Sequence, residues 1–521
     1  MLRIYKSVFI KIIVLIVFPS FLFAQEKDTV AVRFSKLITA EGMSKNLNVL
    51  ASDEFEGRET GKKGQKMAAE YISNQFEDAG ILPYKEKTYY QEFPLNVVKP
   101  MPADVTINEK QYEVYNDFFS FPPDLPQQKL NISNVMFLGY GTDDEKYSDY
   151  KGVNVKDKVV MILMGEPYDK DSISFITGKK TEMEWWYNHK AKLEKAKAKG
   201  ARALLIINDA LEKDAQKNKA KSEKESMKLK MDLSEMPVVY ISMRMANDIL
   251  KKQTIQKLTE KISLTGKPVR YTAKTQLVID IKNRVEKINS ENVLGYIEGS
   301  DLKNELIIVT AHYDHLGKDG EKIYNGADDD GSGTVAVIDL AKTFAEAKKQ
   351  GHGTRRSMLF MTVAGEEKGL LGSSYYVQHP EFPLANTVCD LNMDMIGRQD
   401  EKHKDNPNYI YLIGSDKLSS QLHTISENAN KTYANLELDY TYNDEKDKNR
   451  FYYRSDHYNF AKNGIPVIFY FNGVHADYHR ETDEVEKINF DKMEKISRLV
   501  FFTAWELANR DERIKVDSDK K

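Results

Sequence analysis

ELIIVTAHYDHLGKDGEKIYNGADDDGSG, residues 305–333, is the stretch on which the reading of this chain turns. It opens on a short apolar run with no polar alternation, the pattern of a strand buried on both faces. His312, Asp314 and His315 follow at once. After a polar loop come three successive aspartates, Asp328 to Asp330, and then Gly-Ser-Gly. Beyond them Ala336, Val337, Leu340, Ala341 and Phe344 recur at helical spacing. Adjacent carboxylates repel one another. A solvated acidic loop tolerates that repulsion, whereas a bound cation turns it into an attraction.

The same pattern repeats outward. Apolar runs at 293–299, 305–312, 357–365, 387–394, 409–414 and 465–473 alternate with amphipathic helical stretches. That alternation predicts an α/β layer with a mainly parallel, mixed sheet sandwiched by helices. In such sheets the site lies at the carboxyl ends of the strands. Polar residues do collect there: His312-Tyr313-Asp314, Glu366-Glu367, Asp394, the aspartate trio, and GVHADYHRETD at 473–483.

Singly, each has an ordinary explanation. A histidine after a strand is most often structural, Asp330 suits a helix N-cap, and Glu366-Glu367 suits a solvated pair. Jointly they place carboxylates and imidazoles on five segments at one sheet edge. That donor mixture suits Zn²⁺, with Mn²⁺ or Co²⁺ as substitutes. The absence of thiolate donors favours catalysis over a structural site.

The remainder bounds the answer. The chain has 521 residues, too many for one ordinary core, so two domains are expected. A net charge of −3 and the lack of a basic stripe give no argument for nucleic acid. Arg3, Lys6 and Lys11 precede an apolar run ending at Ala24, the pattern of a secretory leader over 1–24. No cysteine stands near the expected cleavage point, so an exported protein, periplasmic or secreted, without stable membrane insertion is expected. Cys389, the single cysteine, excludes an intramolecular disulfide and reads as a small buried hydrophobe. The charge-dense block 213–232 reads as a solvated helix or excursion.

The motifs HYD (312–314), GADDDGSG (326–333), AGEEKGLLGS (364–373), NMDMIG (392–397), SDHYNF (455–460) and DYHRETD (477–483), in that order, resemble the M28 family of di-zinc aminopeptidases. SDEFEGRETGKKG (52–64) is similar to that family's N-terminal motif. YKGVNVKDKVVMILMG (150–165), KAKAKGARALLIIN (195–208) and MPVVYIS (236–242) resemble a protease-associated (PA) domain. The resemblance implies a peptidase domain from 25–93 and 276–510 with the zinc exopeptidase fold, a β-rich PA-like insert at 94–275, and a charged tail at 511–521.

It also implies roles. His312 and Asp394 would hold one Zn²⁺, Glu367 and His479 a second, and Asp329 would bridge both. Glu366 would be the general base for hydrolysis of peptide substrates. Asp314 would accept a hydrogen bond from His312 and fix its tautomer. Asp456, His475 and Asp483 would support the site or reach the substrate.

His315, His457 and His475 compete with His479. Tyr452, Tyr453, Tyr458 and Tyr470 compete to stabilise an oxyanion. A glutaminyl cyclase, a carboxypeptidase using Arg398, Arg454 or Arg480, and a non-catalytic binding protein share enough of these features to remain alternatives.

Overall fold

The computed structural model describes residues 27–84, 88–121, 125, 127–180, 189–231 and 236–517. The expected leader and residues 518–521 of the expected tail lie outside them. The apolar runs form strands. Arg356–Val363, Leu302–His312, Thr387–Met393 and Val467–Phe471 lie side by side in that order and are mutually parallel. Antiparallel strands flank this centre. Arg284–Ile297 and then Tyr90–Lys99 extend it on one side, and Tyr409–Ile413 extends it on the other.

Successive side chains of a strand face opposite ways, so both faces need cover. Ile307, Val309 and Ala311 pack into one apolar cluster with helices Gly333–Lys349 and Phe490–Asn509. Leu306 and Ile308 pack into another, with helices Leu371–Gln378 and His457–Ala461. Two-sided burial is the reason the runs read as unbroken. Cys389 sits fully buried in the first cluster, where burial pushes its thiol up in pKa and keeps it a neutral hydrophobe. Helix Lys63–Asp78 turns Ala68, Ile72 and Phe76 inward and ends before Gly80, whose φ of +70° suits a residue without a side chain.

A second, eight-stranded sheet is built wholly from residues between 104 and 281. Its centre runs Gln128–Leu138, Val159–Leu163, Ala203–Ile207, Val238–Ile241, each parallel to the next. It has apolar clusters of its own. The charge-dense block contributes most of helix Leu211–Ser222 and then the strand Ser226–Lys228. That strand leaves the second sheet and pairs antiparallel with Asn96–Val98 at the edge of the first.

Candidate active site

The parallel strands deliver their polar ends to one place, and the aspartate trio ties them together. Each of the three has a different task. Asp330 is fully buried; its Oδ2 accepts the His312 N–H, and its Oδ1 accepts those of Gly333 and Met395. It therefore joins the strand bearing His312, the segment bearing Asp394 and the start of the following helix. Asp328 Oδ1 accepts the Gly397 N–H at 2.6 Å, and its Oδ2 lies 3.2 Å from His475 Nε2. Asp329, joined to Asp330 by a cis peptide, is left to face inward. Gly333 is small for a reason: a Cβ there would fall 2.4 Å from Met393 O and 2.5 Å from Asp330 Oδ2.

Asp329 stands between two sets of donors. On one side His312 Nε2 is 3.3 Å from Asp329 Oδ1 and 3.7 Å from Asp394 Oδ1. On the other, His479 Nε2 is 3.2 Å from both Asp329 Oδ2 and Glu367 Oε2. His315 Nδ1 lies 2.8 Å from Glu367 Oε1 and 3.9 Å from Asp329 Oδ2. Two donors bonded to one tetrahedral zinc at about 2.0–2.2 Å are roughly 3.3–3.6 Å apart, close to the spacings of His312 and His479. Moreover His312 Nε2, Asp329 Oδ2 and Glu367 Oε1 are buried without a hydrogen-bond partner, a cost that a cation between them would remove. The donor set therefore fits zinc, as nitrogen and oxygen ligands with no thiolate.

Glu366 lies beside this centre without joining either set. Its Oε2 is 3.8 Å from His312 Nε2. Burial, helped by Glu367, Asp394 and Asp456, pushes its carboxyl well above the usual range against the opposing pull of His312. The two glutamates part company because residues 366–370 form a turn, in which Glu366 O accepts the N–H groups of Gly369 and Leu370. The chain is turned there, not extended.

Asp314 requires a correction. His312 Nδ1 lies 3.0 Å from the main-chain oxygen of Asp314, while the carboxylate is 3.9 Å away. The carboxylate is committed elsewhere, accepting from the Thr60 hydroxyl at 2.6 Å and from the Glu366 N–H at 3.2 Å. The tautomer of His312 is held by a carbonyl, and Asp314 instead anchors the backbone of Glu366.

The segment 473–483 is not a helix; it turns through 476–479, with His479 at φ +58°. The four-residue spacing of His475 and His479 therefore does not put them on one face. His479 reaches Asp329 and Glu367, whereas His475 is buried against Asp328 and does not line the pocket in which a substrate contact was expected. Asp483 accepts the N–H groups of Asp328 and Asp329, holding the trio in place. Asp456 is fully buried and accepts from Ser373, and burial raises its carboxyl to about 7.

A cleft opens onto the centre, lined by Asp329, Glu366, Asp394 and His479 at its polar end. Met395, Phe451, Phe469, Phe471 and Val474 form an apolar wall, with Arg454 and Tyr478 beside them. None of the four tyrosines singled out in the sequence lines it. Tyr470 points into the opposite, helix-covered core. Tyr478, which stacks on His479 with ring centroids 3.9 Å apart, was passed over. Of the three arginines, Arg398 is paired with Asp477 at 2.9 Å, and Arg454 donates to the Tyr478 hydroxyl.

The N-terminal motif supplies two further residues that sequence reasoning missed. Arg58 is 1% exposed and gives its donors to four main-chain oxygens: Nε to Tyr313, Nη1 to Leu50 and Asn325, Nη2 to Gly326. Those oxygens flank His312 and the aspartate loop. Thr60 holds Asp314. The likeness of 52–64 to a family motif was the available signal.

The profile of peptidase family M28 matches residues 292–504. Aminopeptidase YwaD of Bacillus subtilis (strain 168) is 26% identical over 337 residues, covering 63% of this chain and 62% of that protein. A probable leucine aminopeptidase of Trichophyton verrucosum (strain HKI 0517) is 30% identical over 236 residues, 43% of this chain and 59% of that one. The chain thus spans less than two thirds of the length of these curated relatives. The solved aminopeptidase from Aneurinibacillus sp. strain AM-1 shares the fold with a TM-score of 0.53 at 19% identity, over 94% of this chain and 98% of that one. The profile match covers the four parallel strands whose ends build the centre, and over 292–504 the chain is similar to peptidase family M28.

Proposed function

We propose that this protein is an exported, metal-dependent aminopeptidase that removes N-terminal residues with apolar side chains from peptides. The observation that carries the reading is the convergence of His312 and Asp394 on one side of Asp329, and of Glu367 and His479 on the other, with Glu366 beside them at the inner end of an open cleft.

His312, Asp329 and Asp394 would hold one zinc ion, and Asp329, Glu367 and His479 a second. Zinc bound there supplies a Lewis acid that polarises a carbonyl and lowers the pKa of water. The remaining work falls to the chain. The apolar wall of Met395, Phe451, Phe469 and Phe471 takes up the substrate's first side chain, and the carboxylates at the polar end suit a free α-ammonium. Glu366 accepts a proton at its carboxylate from the attacking water and returns it to the leaving amine. Its buried setting, which raises its carboxyl, favours holding that proton between the two steps. Asp314 keeps the Glu366 main chain in register for both transfers.

The test is metal content of the purified protein together with hydrolysis of free-ended, N-blocked and C-blocked peptides, with and without chelator. Two metals per chain and chelator-sensitive loss of unblocked N-terminal residues support the proposal. Cleavage that needs a free carboxyl end would make it a carboxypeptidase. Ring closure of an N-terminal glutamine with one metal would make it a cyclase. Metal without turnover would make it a binding protein. Finding the protein in the cytoplasmic fraction would contradict export.

A further inference from the structure

His315 is not needed for the metal positions described above, yet its ring is fully buried at the second of them. Its Nδ1 and the carboxylate oxygens of Asp329 and Glu367 all lie within 4.8 Å of one another. Neither ring nitrogen makes a hydrogen bond. Nδ1 is 2.8 Å from Glu367 Oε1, close enough for one, but the two atoms are not aligned as donor and acceptor. A cation held by both atoms would remove the cost of leaving them buried and unsatisfied. The His479 ring lies 5.9 Å from that of His315 and is inclined to it by 66°.

The backbone is built to keep the ring there. The His315 N–H donates to Arg58 O, and His315 bridges to Glu59. Gly326 lies flush against the imidazole, since a Cβ at that position would fall 2.5 Å from His315 Cγ and Cδ2. Any larger residue would push the ring out of the centre.

We infer that His315 is an additional nitrogen donor, through Nδ1, to the metal position formed by Asp329, Glu367 and His479. The inference rests on the two-position reading given above. It makes the two positions unequal. The one with His312 and Asp394 has a single imidazole, whereas the one with His315 and His479 has two. Nitrogen donors favour zinc and cobalt over magnesium and calcium, so the second position should discriminate more strongly for zinc.

The test uses Co²⁺-loaded protein, in which each ligating histidine gives a strongly shifted imidazole N–H resonance. The wild type is expected to show three such resonances at two Co²⁺ per chain, and His315→Asn two. In competition titrations with a chromophoric chelator, His315→Asn and His315→Leu should both weaken one Zn²⁺ by about 100-fold or more and leave the other within a few-fold. Asparagine keeps a hydrogen-bond donor close to Nδ1 but is a poor zinc ligand, so it separates coordination from support of Glu367. Wild-type Zn²⁺ affinity in His315→Asn, or two shifted resonances in the wild type, would overturn the inference. If the leucine variant does not fold, the asparagine variant decides alone. Fewer than two metals in the wild type would overturn the two-position reading itself, and the inference with it.

Discussion

Replacing Arg58 with methionine should damage the centre from beneath, although Arg58 belongs to neither set of metal donors. The guanidinium is 1% exposed and satisfies four carbonyl oxygens at 2.7–2.9 Å, from Leu50, Tyr313, Asn325 and Gly326. Hydrogen bonds to a charged group are worth about 1.5–3 kcal/mol each, a gross loss of roughly 6–12 kcal/mol. Against this, methionine no longer carries the cost of burying a cation, several kcal/mol, visible in the depression of the Arg58 pKa to about 10. The balance is a net destabilisation of about 3–5 kcal/mol, in line with breaking other buried charged networks. At about 2 °C per kcal/mol for a domain of this size, the melting temperature should fall by roughly 6–10 °C. Since two of the four oxygens belong to the loop that carries Asp329, metal content should fall with it. Lys303→Met is the control, because Lys303 pairs with the exposed Glu298 at 3.3 Å and should cost about 0–1 kcal/mol. Thermal melts and metal analysis of both variants decide it. Arg58→Met melting within 1 °C of the wild type with full metal would refute the reasoning.

Asp339, 6% exposed on the helix behind the aspartate loop, has its pKa raised to about 6, mainly by burial. An acid so raised adds stability below its unfolded pKa of about 3.9 and loses it as pH rises through about 6. In metal-free protein, Asp339→Asn should therefore be more stable than the wild type at pH 8, by roughly 2–3 kcal/mol. The gap should close below about pH 4; a gap that widens towards acid would contradict this. Gly333→Ala should press on Asp330 and Met393 O, cost about 1–3 kcal/mol and lower metal content, as denaturant melts and metal analysis would reveal. The apolar wall predicts a preference for leucyl over glycyl nitroanilide of roughly 100-fold in kcat/KM; equal rates would show that the wall does not contact the first side chain. Cys389, buried with its pKa raised, should react with thiol reagents only after unfolding.

The parts of this molecule that were legible share one property: their partners are close in sequence or their burial is two-sided. The strand Leu302–His312 reads as an unbroken run because both of its faces are covered, and the polar residues past its end then mark the site. What escaped notice depends on distant backbone. Arg58 acts on carbonyls more than 250 residues away, and no local pattern distinguishes it from a solvated arginine. The His312 tautomer is held by a main-chain oxygen, which no side-chain motif encodes. His475 and His479 look like neighbours on a helix, but the segment turns, and each serves a different aspartate. The strand Ser226–Lys228 is a three-residue edge with a single apolar residue, too short to show through the charge around it.

In the proposed function Glu366 moves the proton while other residues hold the metal. Glu366→Gln keeps the shape and removes the base, so turnover of leucyl nitroanilide per bound zinc is the direct measure. Two zinc ions should be retained and turnover should fall by about 10²–10⁴-fold. Undiminished turnover with both metals bound would contradict it.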